Sequence, residues 1–131
     1  MKKHLTIAVP ILLACSYSVS IADDDARKLV QLPEMMQQHM MSNMRDHLVA
    51  INEILIAMSN DDFEAAAEVA EYRLGMSSME SHGASHMARF MPEGMRQAGT
   101  TMHKAASRFA LKAQEEDVLP AYNALSGVTS A

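Results

Sequence analysis

Tryptophan is absent from this 131-residue chain, cysteine occurs once, at position 15, and no stretch beyond the first twenty-odd residues is apolar for the roughly 18 positions that a membrane-crossing helix needs. A lone cysteine excludes an internal disulfide framework. If Cys15 is lost with a cleaved leader, thiolate metal chemistry goes with it. Alternating apolar and polar runs are also missing, and β-branched residues are few outside the leader, so nothing competes with a helical reading. HExxH motifs, Gly-rich phosphate loops and a serine with a partnered histidine are likewise not found. No acid–base or nucleophilic machinery is visible, and a non-enzymatic role is expected.

The opening residues read as an export signal. Lys2, Lys3 and His4 make a basic start, residues 5–14 are apolar, and Ser20-Ile21-Ala22 puts small residues at the −3 and −1 positions ahead of an acidic run. Residues 1–22 are then the signal, 23–31 a polar leader, and 32–131 the folded domain. A competing reading takes Leu12-Leu13-Ala14-Cys15 as a lipobox, with Cys15 carrying a lipid anchor. Loss of Lys2 and Lys3 moves the formal charge from −5 to −7. An acidic domain without a basic stripe is a poor partner for nucleic acid or anionic lipid.

Methionine is what the chain has in excess, at thirteen residues. It is both a flexible filler of irregular gaps and, in an exported protein, a soft thioether donor to copper(I) or haem iron. Many of these methionines fall on one helical face. Over residues 33–58, Met36, Met40, Met41, Met44, Leu48, Ile51, Ile54, Leu55 and Met58 gather into an arc of roughly 140° that also holds His47. Pro33 suits the first helical position, and Asn60 with Asp61 punctuates the end. Packing and ligation both remain open for these methionines, of which Met36, Met40 and Met44 project with His47 to nearly one side of the helix.

Asp61 and Glu64 form a candidate capping box for a second helix, which carries Phe63, Ala66, Ala67, Ala70 and Leu74 on one face and stops at Gly75 as a C′ residue. Residues 76–91 read as a loop or short broken helix. Within them Met76, Met79, His82, His86 and Met87 form a thioether and imidazole cluster suited to copper, against the plainer reading of an apolar cap over the helix ends. Pro92 opens a third helix reaching about Glu116, whose inner face is Met95, Ala98, Gly99, Met102, Ala105, Ala106, Phe109, Ala110 and Ala113. So many small residues let another backbone or a flat cofactor come close. Asp117 can cap a fourth helix, with Pro120 in its first turn and Val118, Ala121, Tyr122, Leu125 and Val128 as its stripe. That helix is about 21 Å long against about 39 Å for the first. The expected fold is all-α, an antiparallel up-down-up-down four-helix bundle with a shortened fourth helix, and the bare part of the long stripe implies a homodimer or a further C-terminal piece.

The segment Met41-Ser42-Asn43-Met44-Arg45-Asp46-His47-Leu48-Val49-Ala50-Ile51, together with Met91-Pro92-Glu93-Gly94, the alanine-rich third helix and Ala124-Leu125 followed by Val128, resembles the cytochrome c′-type family over about residues 32–131. The resemblance implies a periplasmic four-helix bundle that binds haem c near the end of its fourth helix and passes single electrons to a periplasmic redox partner. It matches Met41 to the distal iron ligand of the low-spin members, with Met40 or Met44 as substitutes by helical position. The family's CxxCH attachment motif does not occur in these 131 residues. In relatives it would come directly after the position of Ala131, so the resemblance implies either a chain cut before the motif or a haem-free descendant. The alternative is a periplasmic Met/His copper protein, and a helical module with no cofactor is the third reading.

Overall fold

A computed structural model describes residues 29–131. The signal, its cleavage site and Cys15 lie outside the described residues. Among those residues all regular structure is helical, with no strand, and no helix is long and apolar enough to cross a membrane.

Helix α1 spans Glu34–Ser59. Pro33 sits one position earlier than its sequence role suggested, at the cap rather than inside the helix, with ψ 142°. Its carbonyl accepts the first helical hydrogen bond from the Gln37 amide at 2.9 Å, and Glu34 complements the positive helix end. At the far end the Ser59 hydroxyl and the Asn60 side-chain amide both donate to the Ile56 carbonyl. Asp61 then turns the chain in the left-handed region, at φ 57°. Because Asp61 is used for that turn, the cap of the next helix falls to Asp62, whose carboxylate accepts from the Ala65 amide at 3.0 Å. The expected Asp61/Glu64 box is therefore not formed.

Helix α2, Phe63–Val69, widens into a π turn over Ala70–Leu74. Arg73 in that turn reaches across to Asp46 and Glu53 of α1, which ties the widened segment to the neighbouring helix. Gly75 ends the turn in extended backbone, at φ −75° and ψ −174°, and not in the left-handed region of a C′ glycine. Its need for glycine is steric: an added Cβ would stand 2.7 Å from the Glu71 carbonyl oxygen and 2.8 Å from Ser107 Oγ of the facing helix. A 3-10 turn at Met76–Ser78 and the short helix α3, Ala84–Ala88, make up the irregular connection. Gly83, at φ 61°, is the left-handed hinge between them.

Helix α4 spans Glu93–Ala113, and the Pro92 carbonyl accepts its first bond from the Arg96 amide. Helix α5 spans Val118–Thr129. Asp117 precedes it without a side-chain capping bond. Helix α1 lies against α2 and the π turn, these lie against α4, and α4 lies against α5.

A single core runs through the helices: Ala50, Ile54 and Met58 from α1, Phe63, Ala66, Ala67, Ala70 and Leu74 from the α2 segment, Ala105, Ala106, Phe109, Ala110 and Ala113 from α4, and Ala121, Leu125 and Val128 from α5. Nine of these sixteen are alanines, which lets the backbones approach closely around Phe109, itself fully buried. The methionine stripe of α1 divides. Ile54 and Met58 enter the core, whereas Met41, Met44, Leu48 and Leu55 keep substantial exposure. Among the described residues the stripe is wider than the neighbours that cover it.

Candidate functional site

The inner face of α4 also divides, and the division makes the site. Its C-terminal half, from Ala105 onward, is core, while Met95, Ala98, Gly99, Met102 and His103 in its N-terminal half line a cavity of about 310 Å³. Across from them stand Met40, Asn43, Met44 and His47, which share one face of α1 at helical spacing. His82, Ala84, Met87 and Met91 close the cavity from the irregular connection, and Ala131 reaches it from the end of α5.

Three imidazoles meet on one side of this cavity. Ring centroids of His47 and His82 are 4.8 Å apart, those of His82 and His103 5.5 Å, and those of His47 and His103 5.7 Å. Each ring arrives on a different element, and each is held by its surroundings. His103 Nδ1–H donates to the Leu74 carbonyl at 2.6 Å. That carbonyl is free because the π turn ends at Leu74 and no further helical turn follows. The assignment leaves His103 Nε2 as a bare lone pair. The His82 carbonyl is pinned to α1 by His39 Nε2–H at 3.0 Å and Asn43 Nδ2 at 3.1 Å. The His82 ring has Nδ1 3.3 Å from Ser78 Oγ. Ser78 gives its only proton to the Gly75 carbonyl at 2.7 Å, so it accepts from His82. His47 Nε2 lies 3.5 Å from the same His82 nitrogen.

His47 and His82 favour the neutral ring. Burial pushes His47 down to about 4, and positive charge on His82 or His103 would push it the same way, with Asp46 pulling weakly against both. His82 is lowered by burial first and by His103 second. Asp46 offers little relief because its carboxylate is committed to the Arg73 guanidinium, which holds it below its usual range. Neutral imidazole is the form that binds a metal. Among the described residues, however, no group of three or more His, Cys, Asp or Glu is arranged to hold one. The remaining side-chain donors in the wall are methionine sulfurs and the Asn43 amide oxygen.

Of the residues singled out from the sequence, Met40, Met44 and His47 face the cavity, and Met41 does not. Met41 is 46% exposed on the outer side of α1. The five-residue cluster on the connection is split by the left-handed turn at Gly83. His82 and Met87 point inward. His86 points outward, where it pairs with Arg89 at 2.8 Å and lies edge-on to Phe90. Met76 is exposed, with its amide held by Ser107 Oγ, and Met79 does not line the cavity. His103 was not singled out from the sequence. Its signal was positional: it lies four residues after Gly99 and three before Ala106, on the face already read as inner.

No family model matches the chain, and no curated protein or solved structure matches it either.

Proposed function

We propose that the cavity is the haem pocket of an exported, cytochrome c′-like four-helix bundle that carries single electrons in the periplasm. The observation that carries this reading is the position of Ala131 in the cavity wall, facing the small residues Ala98 and Gly99 of α4 and the thioethers of α1. In the cytochrome c′-type family that the chain resembles, the haem sits near the end of the fourth helix, and the end of α5 lies at this cavity. The same grouping favours the up-down-up-down arrangement. It brings the N-terminal halves of α1 and α4 together with the C-terminal end of α5, as expected if α1 and α4 run one way and α2 and α5 the other.

The walls suit a haem. Gly99 has open space where a Cβ would stand, which leaves room for a flat face, and the lining is apolar apart from Asn43 and the three imidazoles. Met40 and Met44 would supply the distal side, in place of the Met41 expected from the resemblance. Cys15, the one cysteine of the chain, cannot provide the two thioether links of a c-type attachment. When bound with an axial methionine, a haem supplies a one-electron couple of raised potential. What these residues would do is present sulfur to one face and set the imidazoles of His47, His82 and His103 at the edge.

Hemin titration of the 131-residue chain, followed at the Soret band, tests the pocket. Gly99→Phe, at a position where an added Cβ meets nothing, adds bulk at the cavity wall and should abolish a Soret shift that the parent chain shows. Equal shifts in both would remove the reading. Extending the coding sequence past Ala131 tests the attachment: a stop codon there in the native gene would end the c-type assignment.

A further inference from the structure

The three-histidine corner has a geometry that the haem reading does not use. His47 Nε2 and His82 Nδ1 lie 3.5 Å apart. Two nitrogens each about 2.0 Å from a trigonal metal are about 3.5 Å apart, and the centroids of their rings are about 5.5 Å apart. The His47 and His82 centroids stand 4.8 Å apart, so these two rings need only splay slightly to take an ion between their nitrogens. His103 shows the outer bond typical of a metal-binding imidazole, one ring N–H fixed on a backbone carbonyl, here Leu74. Yet no three nitrogen or carboxylate donors converge. A site built here has to be completed by sulfur, and Met44 and Met102 line the same cavity as the histidines, one turn before His47 and directly before His103. Methionine's three rotatable bonds let its sulfur swing toward a bound ion.

We infer that this corner binds one copper(I) ion through the His47 and His82 imidazoles and a thioether from Met44 or Met102. Copper(I) accepts two- and three-coordinate mixed nitrogen and thioether sets, whereas zinc calls for a closed set of four harder donors. On binding, His82 keeps one proton, which moves from Nδ1 to Nε2, so the ring stays neutral and no net proton is released. The ion replaces the weak His47–His82 contact and joins α1 to the connection ahead of Gly83. The inference goes beyond the haem reading and is measured on a chain that carries no attached haem.

The test is anaerobic titration of the full chain with copper(I) against bicinchoninate, with Cys15→Ser alongside to remove the thiol. One equivalent should be retained in both. His47→Phe and His82→Phe should each weaken binding at least 100-fold, Met44→Leu with Met102→Leu about tenfold or more, and His86→Ala, on the outer surface, not at all. X-ray absorption of the loaded parent should show nitrogen near ~2.0 Å and sulfur near ~2.3 Å. Should a histidine variant lose its far-UV circular dichroism, the methionine pair and the absorption spectrum decide. No retained copper, retention equal to the parent in the methionine pair, or a coordination shell without sulfur overturns the inference. Copper binding without a Soret shift on hemin addition would uphold this site and sink the haem pocket, and the reverse result would do the opposite.

Discussion

Lowering the pH from 7 to 4.5 should unfold this protein more easily through one corner of it. In the folded chain His47 titrates at about 4, against 6.5 for a free side chain. Between those values the unfolded chain binds a proton that the folded one refuses, so stability falls as pH falls. Above pH 6.5 the contribution of the neutral, buried ring is fully present. By pH 5 it has fallen by about 2 kcal/mol, and by pH 4 by about 3 kcal/mol. The depressed His82 adds in the same direction. Asp46 and Glu71 act mainly below this window. Both carboxyls are held below their ordinary values of 3.8 and 4.5, so their share of stability is present above those values and begins to be lost, in the same direction, only as the pH nears 4.5 and falls further. Burial acts first on Glu71 and would raise it, but the hydroxyls of Ser107 and Ser77 outweigh that effect. Urea unfolding followed by far-UV circular dichroism at half-unit pH steps measures the effect. A loss of about 2 kcal/mol lowers the midpoint by roughly 1–2 M. His47→Gln, which keeps a polar side chain but has no proton to gain, should flatten the curve between pH 6.5 and 4.5. A parent midpoint unchanged over that range, or an equal slope in His47→Gln, would refute the account of a crowded, neutral histidine corner.

Other perturbations probe the remaining contacts. Arg73→Met removes the link from the π turn to Asp46 and Glu53; because all three side chains are partly exposed, the expected loss is about 1 kcal/mol and should shrink in 0.5 M salt, as chemical denaturation in low and high salt will show. Gly75→Ala should cost about 2 kcal/mol or more through overlap with Glu71 and Ser107, and Ser107→Gly in the same chain should recover part of that loss, which a backbone-strain explanation would not allow. Phe109→Ala, fully buried toward the C-terminal end of α4, should cost about 3–5 kcal/mol in thermal or urea unfolding. If the exposed Met41, Leu48 and Leu55 of α1 form the homodimer contact expected from the bare stripe, light scattering should give twice the chain mass for the parent and the single mass for Leu48→Glu with Leu55→Glu; a monomeric parent would rule the contact out.

Much of the helical layout was legible in the chain. The span of α1, the inner face of α4 and the irregular connection over residues 76–91 follow from periodicity and from its interruption, because those signals are local. The misplaced details were those set by neighbours. Asp62 and not Asp61 caps α2, since closing the preceding turn consumes Asp61. The π turn at Ala70–Leu74 was not visible, and it is accompanied by Arg73 stretching to α1. Met41 and Met40 are adjacent in sequence and both lie within the apolar arc, but a rotation of 100° separates them, and only the position of α4 decides which one is inside.

The candidate site shows the same division. Sequence alone determined that sulfur and imidazole donors are dense in this chain, that they occupy helix faces, and that the cysteines of a covalent haem attachment are not among these 131 residues. It did so because composition and a 3.6-residue period need no knowledge of what lies across the fold. Only the tertiary structure brought His47, His82 and His103 from three elements into one corner, turned His86 away, and placed Ala131 beside the methionines of α1 and α4. Those pairings depend on the left-handed turn at Gly83 and on the close approach that Gly75 permits, and they join residues 20 to 90 positions apart, a distance over which no local signal in the chain carries information.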